Sequence, residues 1–204
     1  NPGAYPQGSL VQGSDGSFYG MTYQGGTSDL GTIFKMTAAG VQTTLVNFTG
    51  ASGANPGSYP LGSLVLGSDG SFYGMTIYGG TSDYGTIFKM TAAGVQTTLV
   101  NFTGTSGANP GAYPAGSLVQ GSDGSFYGTT VQGGTRDYGT IFKMTAAGVR
   151  TTLVNFTGTS GANPGSHPRG SLVQGSDGSF YGMTIYGGTS EVMKEIIARS
   201  ILGR

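Results

Sequence analysis

"GSDGSFYG" occupies residues 13–20 and returns unchanged at 67–74, 121–128 and 175–182. Each step is 54 residues. The match extends well beyond these eight positions. "GTIFKMTAAGV" stands at 31–41, 85–95 and 139–149, and Pro2-Gly3 returns at Pro56-Gly57, Pro110-Gly111 and Pro164-Gly165. The chain therefore divides into full repeats at 1–54, 55–108 and 109–162, a partial repeat at 163–190, and a non-repeat tail at 191–204. A period of this size signals a solenoid, a propeller or another stacked array, because one such unit cannot bury its apolar faces alone.

One repeat holds four short β candidates, at residues 9–12, 17–22, 32–37 (TIFKMT) and 41–48 (VQTTLVNF). Each is rich in β-branched or aromatic residues and is bounded by Gly, Asp or Asn. Ser14-Asp15-Gly16 and Ala38-Ala39-Gly40 read as hairpin turns, since glycine accepts a positive φ without a steric penalty. "GSDG" is thus a turn and "SFYG" opens the second strand. The strands do not alternate cleanly. Phe34 and Met36 share one face while Ile33 lies on the other, and Leu45 and Val46 oppose each other. Sheets with one wet face alternate, and sheets covered on both faces do not. The expectation is an all-β, propeller-like array of four-stranded antiparallel blades. A β-solenoid with two coils per repeat is the alternative.

Composition narrows the function classes. Glycine supplies 41 of 204 residues, yet the glycines keep phase with Phe, Tyr, Ile, Leu and Val, as turn residues of an ordered chain do. The formal net charge is zero and only 9% of residues are charged, so no basic stripe exists for nucleic acid. No apolar run reaches the length of a membrane-spanning helix. Cysteine is absent, histidine occurs once, and the repeats hold no glutamate. A Ser-His-Asp triad or a zinc site lacks its parts, and no cofactor is expected. Near-identical units also encode the same weak site several times and not one unique constellation. The reading is a non-enzyme.

Among individual residues, Asp15, Asp69, Asp123 and Asp177 read as turn formers, and Tyr19 with its copies as packing residues. His167 stands where the other repeats have Tyr5, Tyr59 and Tyr113, which marks drift at a repeat edge. Asn47-Phe48-Thr49 and its copies fit a glycosylation sequon, at strand ends. Tyr78 and Tyr186 lie beside the Gly-Gly loops, with Asp29, Asp83 and Asp137 close in sequence. A tyrosine ring amid Ser, Thr and Asp can stack on and hydrogen-bond a sugar, and repetition adds avidity. These five residues are the candidate ligand-binding set, with glycans as the partner class.

The run L-x-x-G-S-D-G-S-F-Y-G-x-T from Leu10 to Thr22, the pair Gly25-Gly26, and G-T-I-F-K-M-T-x-x-G from Gly31 to Gly40 resemble the GloVer (Gloeo-Verruco) tandem repeat of exported bacterial proteins. The resemblance covers nearly everything before residue 190. It implies export or display at the cell surface and a propeller-type array, and it carries no chemistry with it. The start at Asn1 suggests a processed protein or a fragment.

After Ser190 the repeat predicts Asp-Tyr-Gly-Thr-Ile-Phe, and the chain reads EVMKEIIARSILGR. Met193, Ile196, Ile197 and Ile201 fall at helical spacing, and Glu195 and Arg199 form an i,i+4 pair. The tail reads as a short amphipathic helix, either a cap or an assembly peptide. The fourth repeat then keeps two strands and leaves an open edge. The expected partner is another copy of the same chain, and the leading function is a structural, self-associating repeat protein outside the cell. A multivalent lectin-like binder is the alternative.

Overall fold

The computed structural model describes residues 3–184. In the first repeat, β1 (Val11–Gln12), β2 (Phe18–Thr22), β3 (Thr32–Met36) and β4 (Gln42–Asn47) form one antiparallel meander in sequence order. The second repeat gives β5 (Val65–Leu66), β6 (Phe72–Thr76), β7 (Thr86–Met90) and β8 (Gln96–Asn101) in the same arrangement. The third gives β9 (Val119–Gln120), β10 (Phe126–Thr130), β11 (Thr140–Met144) and β12 (Arg150–Asn155), and the fourth gives β13 (Val173–Gln174) paired with β14 (Phe180–Tyr181). Each repeat is thus a propeller-like blade, and among the described residues the last blade has two strands. A meander of four strands within one repeat replaces the two coils that a solenoid requires. The proposed C-terminal helix at 191–204 lies outside the described residues.

The sequence boundaries shift for identifiable reasons. The first candidate strand shortens to Val11–Gln12 because Ser9 spends its N–H on the Ser63 hydroxyl of the next blade, at 2.8 Å. The fourth candidate carries a bulge. Ile33 pairs with Val46 and Phe34 pairs with Thr44, so Leu45 is the extra residue. A bulge re-aims a side chain and tightens the twist. Leu45 turns onto the neighbouring blade, while Val46 stays in register with Ile33 inside the core. The bulge recurs between Ile87 and Phe88 and between Ile141 and Phe142.

Two compact units make up the chain, Asn1–Phe102 and Thr103–Arg204. In the first unit, Tyr19, Met21, Ile33, Val46 and Phe48 of one blade pack on Leu64, Phe72, Phe88 and Met90 of the next. Tyr19 and Phe72 bring their ring centroids to 4.1 Å, and Phe48 meets Phe88 edge-on at 5.5 Å. Burying each such ring contributes about 1.5–3 kcal/mol, and aromatic pairing adds about 0.5–1.5 kcal/mol. In the second unit, Tyr127, Ile141, Val154 and Phe156 pack on Leu172 and Phe180 in the same way, with Tyr127 stacked on Phe180 at 4.0 Å. A blade therefore has two distinct faces. The Tyr19-type face covers the blade that follows, and the Phe72-type face receives the blade that precedes.

Gly20 and its copies make this packing possible. A Cβ at Gly74 would sit 2.5 Å from the Phe88 ring and 3.1 Å from Leu64. Only a bare backbone lets the phenylalanine lie flat across the strand pair.

Candidate functional site

The polar constellation that recurs in every complete blade is built on the "GSDG" turn. Gly16 donates its N–H to the Gly13 carbonyl at 3.1 Å, which closes the turn. Asp15 Oδ1 accepts the Ser17 N–H at 3.1 Å, and Asp15 Oδ2 accepts the Tyr19 hydroxyl at 2.9 Å. Register then brings in a third residue. Tyr19 pairs with Lys35 across β2 and β3, and Lys35 Nζ reaches Asp15 Oδ2 at 2.7 Å. The same ammonium lies 5.8 Å from the centre of the Tyr19 ring. Asp69, Tyr73 and Lys89 repeat the arrangement, as do Asp123, Tyr127 and Lys143. In the fourth blade Asp177 holds Tyr181 at 2.8 Å and Ser179 at 2.9 Å. The residue one period beyond Lys143 is Ile197, so the sequence offers no lysine at that place.

The electrostatics of this triad lock each group in its ordinary charge state at neutral pH. The Lys35 ammonium, with help from Tyr19 and the Ser17 amide, holds Asp15 down at about 2 against the effect of burial. At Asp69 and Asp123 burial pushes upward, but the lysine, the serine amide and the tyrosine hydroxyl outweigh it and leave both at about 2. The Ser179 amide and the Tyr181 hydroxyl lower Asp177 as well. The lysines are raised by their aspartates, and the tyrosines are raised first by burial. A general base needs a pKa near the working pH, and a nucleophile needs an activated one. These shifts run the other way and suit a clamp that ties the β1–β2 turn to β3.

The Gly-Gly loops lie at the opposite end of β2. Asp29 has φ 57°, and its Oδ1 accepts the Gly25 N–H at 2.9 Å. Asp83 and Asp137 do the same for Gly79 and Gly133, each at 2.7 Å. All three are exposed, but each spends a carboxylate oxygen on closing its own loop. Asn47, the sequon asparagine, is also engaged: its Oδ1 accepts the Thr27 N–H at 3.1 Å, and Asn101 and Asn155 repeat this. Of the two predicted tyrosines, Tyr78 is exposed at this end of the second blade. Tyr186 lies outside the described residues.

Sequence reasoning passed over two features here. The first is Lys35, whose partner lies in the turn before the neighbouring strand, 20 residues earlier, and becomes adjacent only through strand register. The second is the backbone strain in the series Tyr5, Tyr59, Tyr113 and His167, all at φ between 50° and 55°. A bulky residue in this left-handed region is strained and persists only where its surroundings hold it. Tyr59 is held by donating its N–H to the Leu30 carbonyl at 2.8 Å and by accepting the Ile77 N–H at 3.3 Å. It thereby links the loop of the first blade to that of the second. Its ring stands 5.0 Å from Tyr23 and 6.1 Å from Tyr78, which makes a three-tyrosine cluster. His167 keeps the same backbone geometry, donates its N–H to the Tyr138 carbonyl at 2.9 Å and faces that ring edge-on at 6.2 Å. It is a tyrosine substitute in a crossing segment.

A search among curated proteins returns no match. An X-ray structure described as a gluconolactonase is similar in fold, with a TM-score of 0.55 over 94% of this chain at 13% identity. This chain spans 63% of that protein's length. The likeness carries the propeller-like fold and nothing of the chemistry. The Gloeobacter/Verrucomicrobia repeat profile matches residues 1–113 and again 57–192. With its 54-residue period, its "GSDGSFYG" turns and its four-stranded blades, the chain belongs to the Gloeobacter/Verrucomicrobia repeat family.

Proposed function

We propose that this protein is a non-enzymatic structural repeat protein that associates with copies of itself outside the cell. One observation carries the reading. Leu64 and Leu172, on the receiving faces of the second and fourth blades, are each 3% exposed, with Tyr19 and Phe48 in the cluster that covers Leu64 and Tyr127 and Phe156 in the one that covers Leu172. A module that buries its faces against another of the same sequence supports association between copies. The satisfied Asp-Tyr-Lys clamps support a scaffold role over catalysis, and placement outside the cell rests on the resemblance to exported repeat proteins. Sedimentation velocity over a hundredfold concentration range tests this. The expected result is a species heavier than the 20.6 kDa chain that grows with concentration. A 20.6 kDa particle at every concentration overturns it.

Multivalent glycan binding is the second reading, and the Tyr23–Tyr59–Tyr78 cluster favours it. Asp29, Asp83 and Asp137 retain one carboxylate oxygen each for a sugar hydroxyl in this reading. Binding on a glycan array that disappears in Tyr78→Ala supports it, and an array without reproducible signal removes it.

A further inference from the structure

Three tyrosines gather where the first blade crosses into the second, and their spacing suits a chemistry that packing does not need. Tyr23, just after β2, holds its ring 5.0 Å from that of Tyr59 at 34°, and Tyr78 lies 6.1 Å from Tyr59 at 89°. Tyr23 and Tyr59 are half-buried and Tyr78 is 39% exposed, so solvent reaches the cluster. We infer that Tyr23 and Tyr59 are a site of oxidative cross-linking, joined into a dityrosine by hydrogen peroxide and a one-electron oxidant of the haem peroxidase class. This goes beyond the structural reading and does not rest on it, because the bond forms inside one chain.

The pair is held in place and not merely near. Tyr59 sits in the left-handed region at φ 55°, donates its N–H to the Leu30 carbonyl at 2.8 Å and accepts the Ile77 N–H at 3.3 Å. Tyr23 donates its N–H to the Tyr5 carbonyl at 2.9 Å. Both backbones are thus tied, and fixed neighbours react far faster than free ones. Composition favours the same chemistry. The chain has no cysteine and no tryptophan, so tyrosine is the side chain that gives up one electron most readily. The clamp tyrosines are unsuited: Tyr19 lies against Phe72 and Tyr127 against Phe180, and a phenylalanine ring has no phenol to oxidise. At the copies of Tyr23 the sequence has Ile77, Val131 and Ile185, so this pairing is written once among near-identical repeats.

Each phenol gives one electron to the oxidised haem of the peroxidase and releases its proton. The two radicals join through one new bond between ring carbons ortho to the oxygens. The hydrogens on those two carbons pass to the oxygens, which restores both phenols. Hydrogen peroxide takes up the two electrons and two protons and leaves as two waters. Tyr23 and Tyr59 fit this product better than Tyr59 and Tyr78, because a biaryl keeps its rings at a modest twist and a right angle breaks the conjugation between them. The link encloses β3, β4 and the crossing segment. It ties the first blade to the second and cuts the freedom of the unfolded chain.

The test treats the full chain with a haem peroxidase and hydrogen peroxide, at a dilution where sedimentation gives a single chain. Dityrosine fluorescence reports the product, and mass spectrometry after proteolysis locates it. The expected result is a linked pair of peptides carrying Tyr23 and Tyr59, two hydrogen atoms lighter than their sum, with no dimer on a denaturing gel. Tyr23→Phe keeps the ring, removes the phenol and abolishes that pair. Tyr138→Phe, at a tyrosine 38% exposed, leaves it. The linked chain unfolds at a higher urea concentration than the untreated chain, and Tyr23→Phe shows no such gain on treatment. A Tyr59–Tyr78 peptide pair in its place, dityrosine only between chains, or no dityrosine under conditions that couple free tyrosine overturns the assignment.

Discussion

Leu10 and Leu64 form a matched pair on which the packing argument can be measured. They occupy the same repeat position, next to the same "GSDG" turn, and each reaches over the glycine of an F-Y-G strand. A Cβ on Gly20 would meet Leu10 Cδ2 at 2.7 Å, and one on Gly74 would meet Leu64 Cδ2 at 3.1 Å. They differ in what covers them. Leu64 is 3% exposed under the first blade, and Leu10 is 46% exposed. Truncation of Leu64 to alanine removes a full transfer contribution and leaves a sealed cavity, which costs about 2–5 kcal/mol. Truncation of Leu10 forfeits about half of a transfer contribution of ~1.5–3 kcal/mol, and the site opens to water, so no cavity remains. The expected loss is about 1 kcal/mol. Urea unfolding followed by tyrosine emission and far-UV circular dichroism reads both variants. The chain has 12 tyrosines and no tryptophan, so the signal is not masked. The measurements are made at a dilution where sedimentation gives a single chain. Equal losses for the two variants, or a larger loss for Leu10→Ala, would refute the claim that blade-on-blade cover provides the stability.

Three other outcomes follow from the geometry. Asp69 and Asp123 titrate at about 2 when folded against an ordinary 3.8, so the unfolded chain takes up protons first as the pH falls. Their stabilisation is complete above about pH 4 and is lost between there and about pH 2, and Asp69→Asn with Asp123→Asn should flatten the melting temperature across that window. Gly74→Ala drives a methyl into the buried Phe88 ring and should cost about 1–3 kcal/mol by the same urea assay. Both polar atoms of the Gln96 carboxamide are buried without a hydrogen-bond partner. Replacing it with methionine, which has a similar length and no amide to satisfy, should raise stability by about 1–3 kcal/mol.

The repeat period and the turn chemistry make the blades legible in the sequence. Four β-rich runs separated by Gly-bearing turns, written three times in full, have few other ways to fold. The expected strand ends lie within about two residues of those found, and the misses are local. Leu45 and Val46 looked like residues on opposite faces, and the bulge that explains them is invisible to a strict period of two. The first strand starts after Ser9 because the Ser9 partner belongs to another blade, which no single-repeat reading contains. Site residues were less legible. Asp29 and its copies read by type as sugar contacts, and residue type does not reveal that a left-handed backbone turns one oxygen of each carboxylate onto its own loop. Lys35 escaped notice because an Asp-to-Lys spacing of 20 residues means nothing until β2 and β3 pair in register. The strain at Tyr59 is not legible in sequence because it is a property of φ and not of residue type.

Amide hydrogen exchange at low and high protein concentration tests the central claim most directly. Stacked, mutually sheltering blades predict the slowest exchange in β2 and β3 and in their counterparts one and two periods on, with protection increasing as concentration rises. A protection map that ignores the 54-residue period, or one that is identical at both concentrations, would contradict the account.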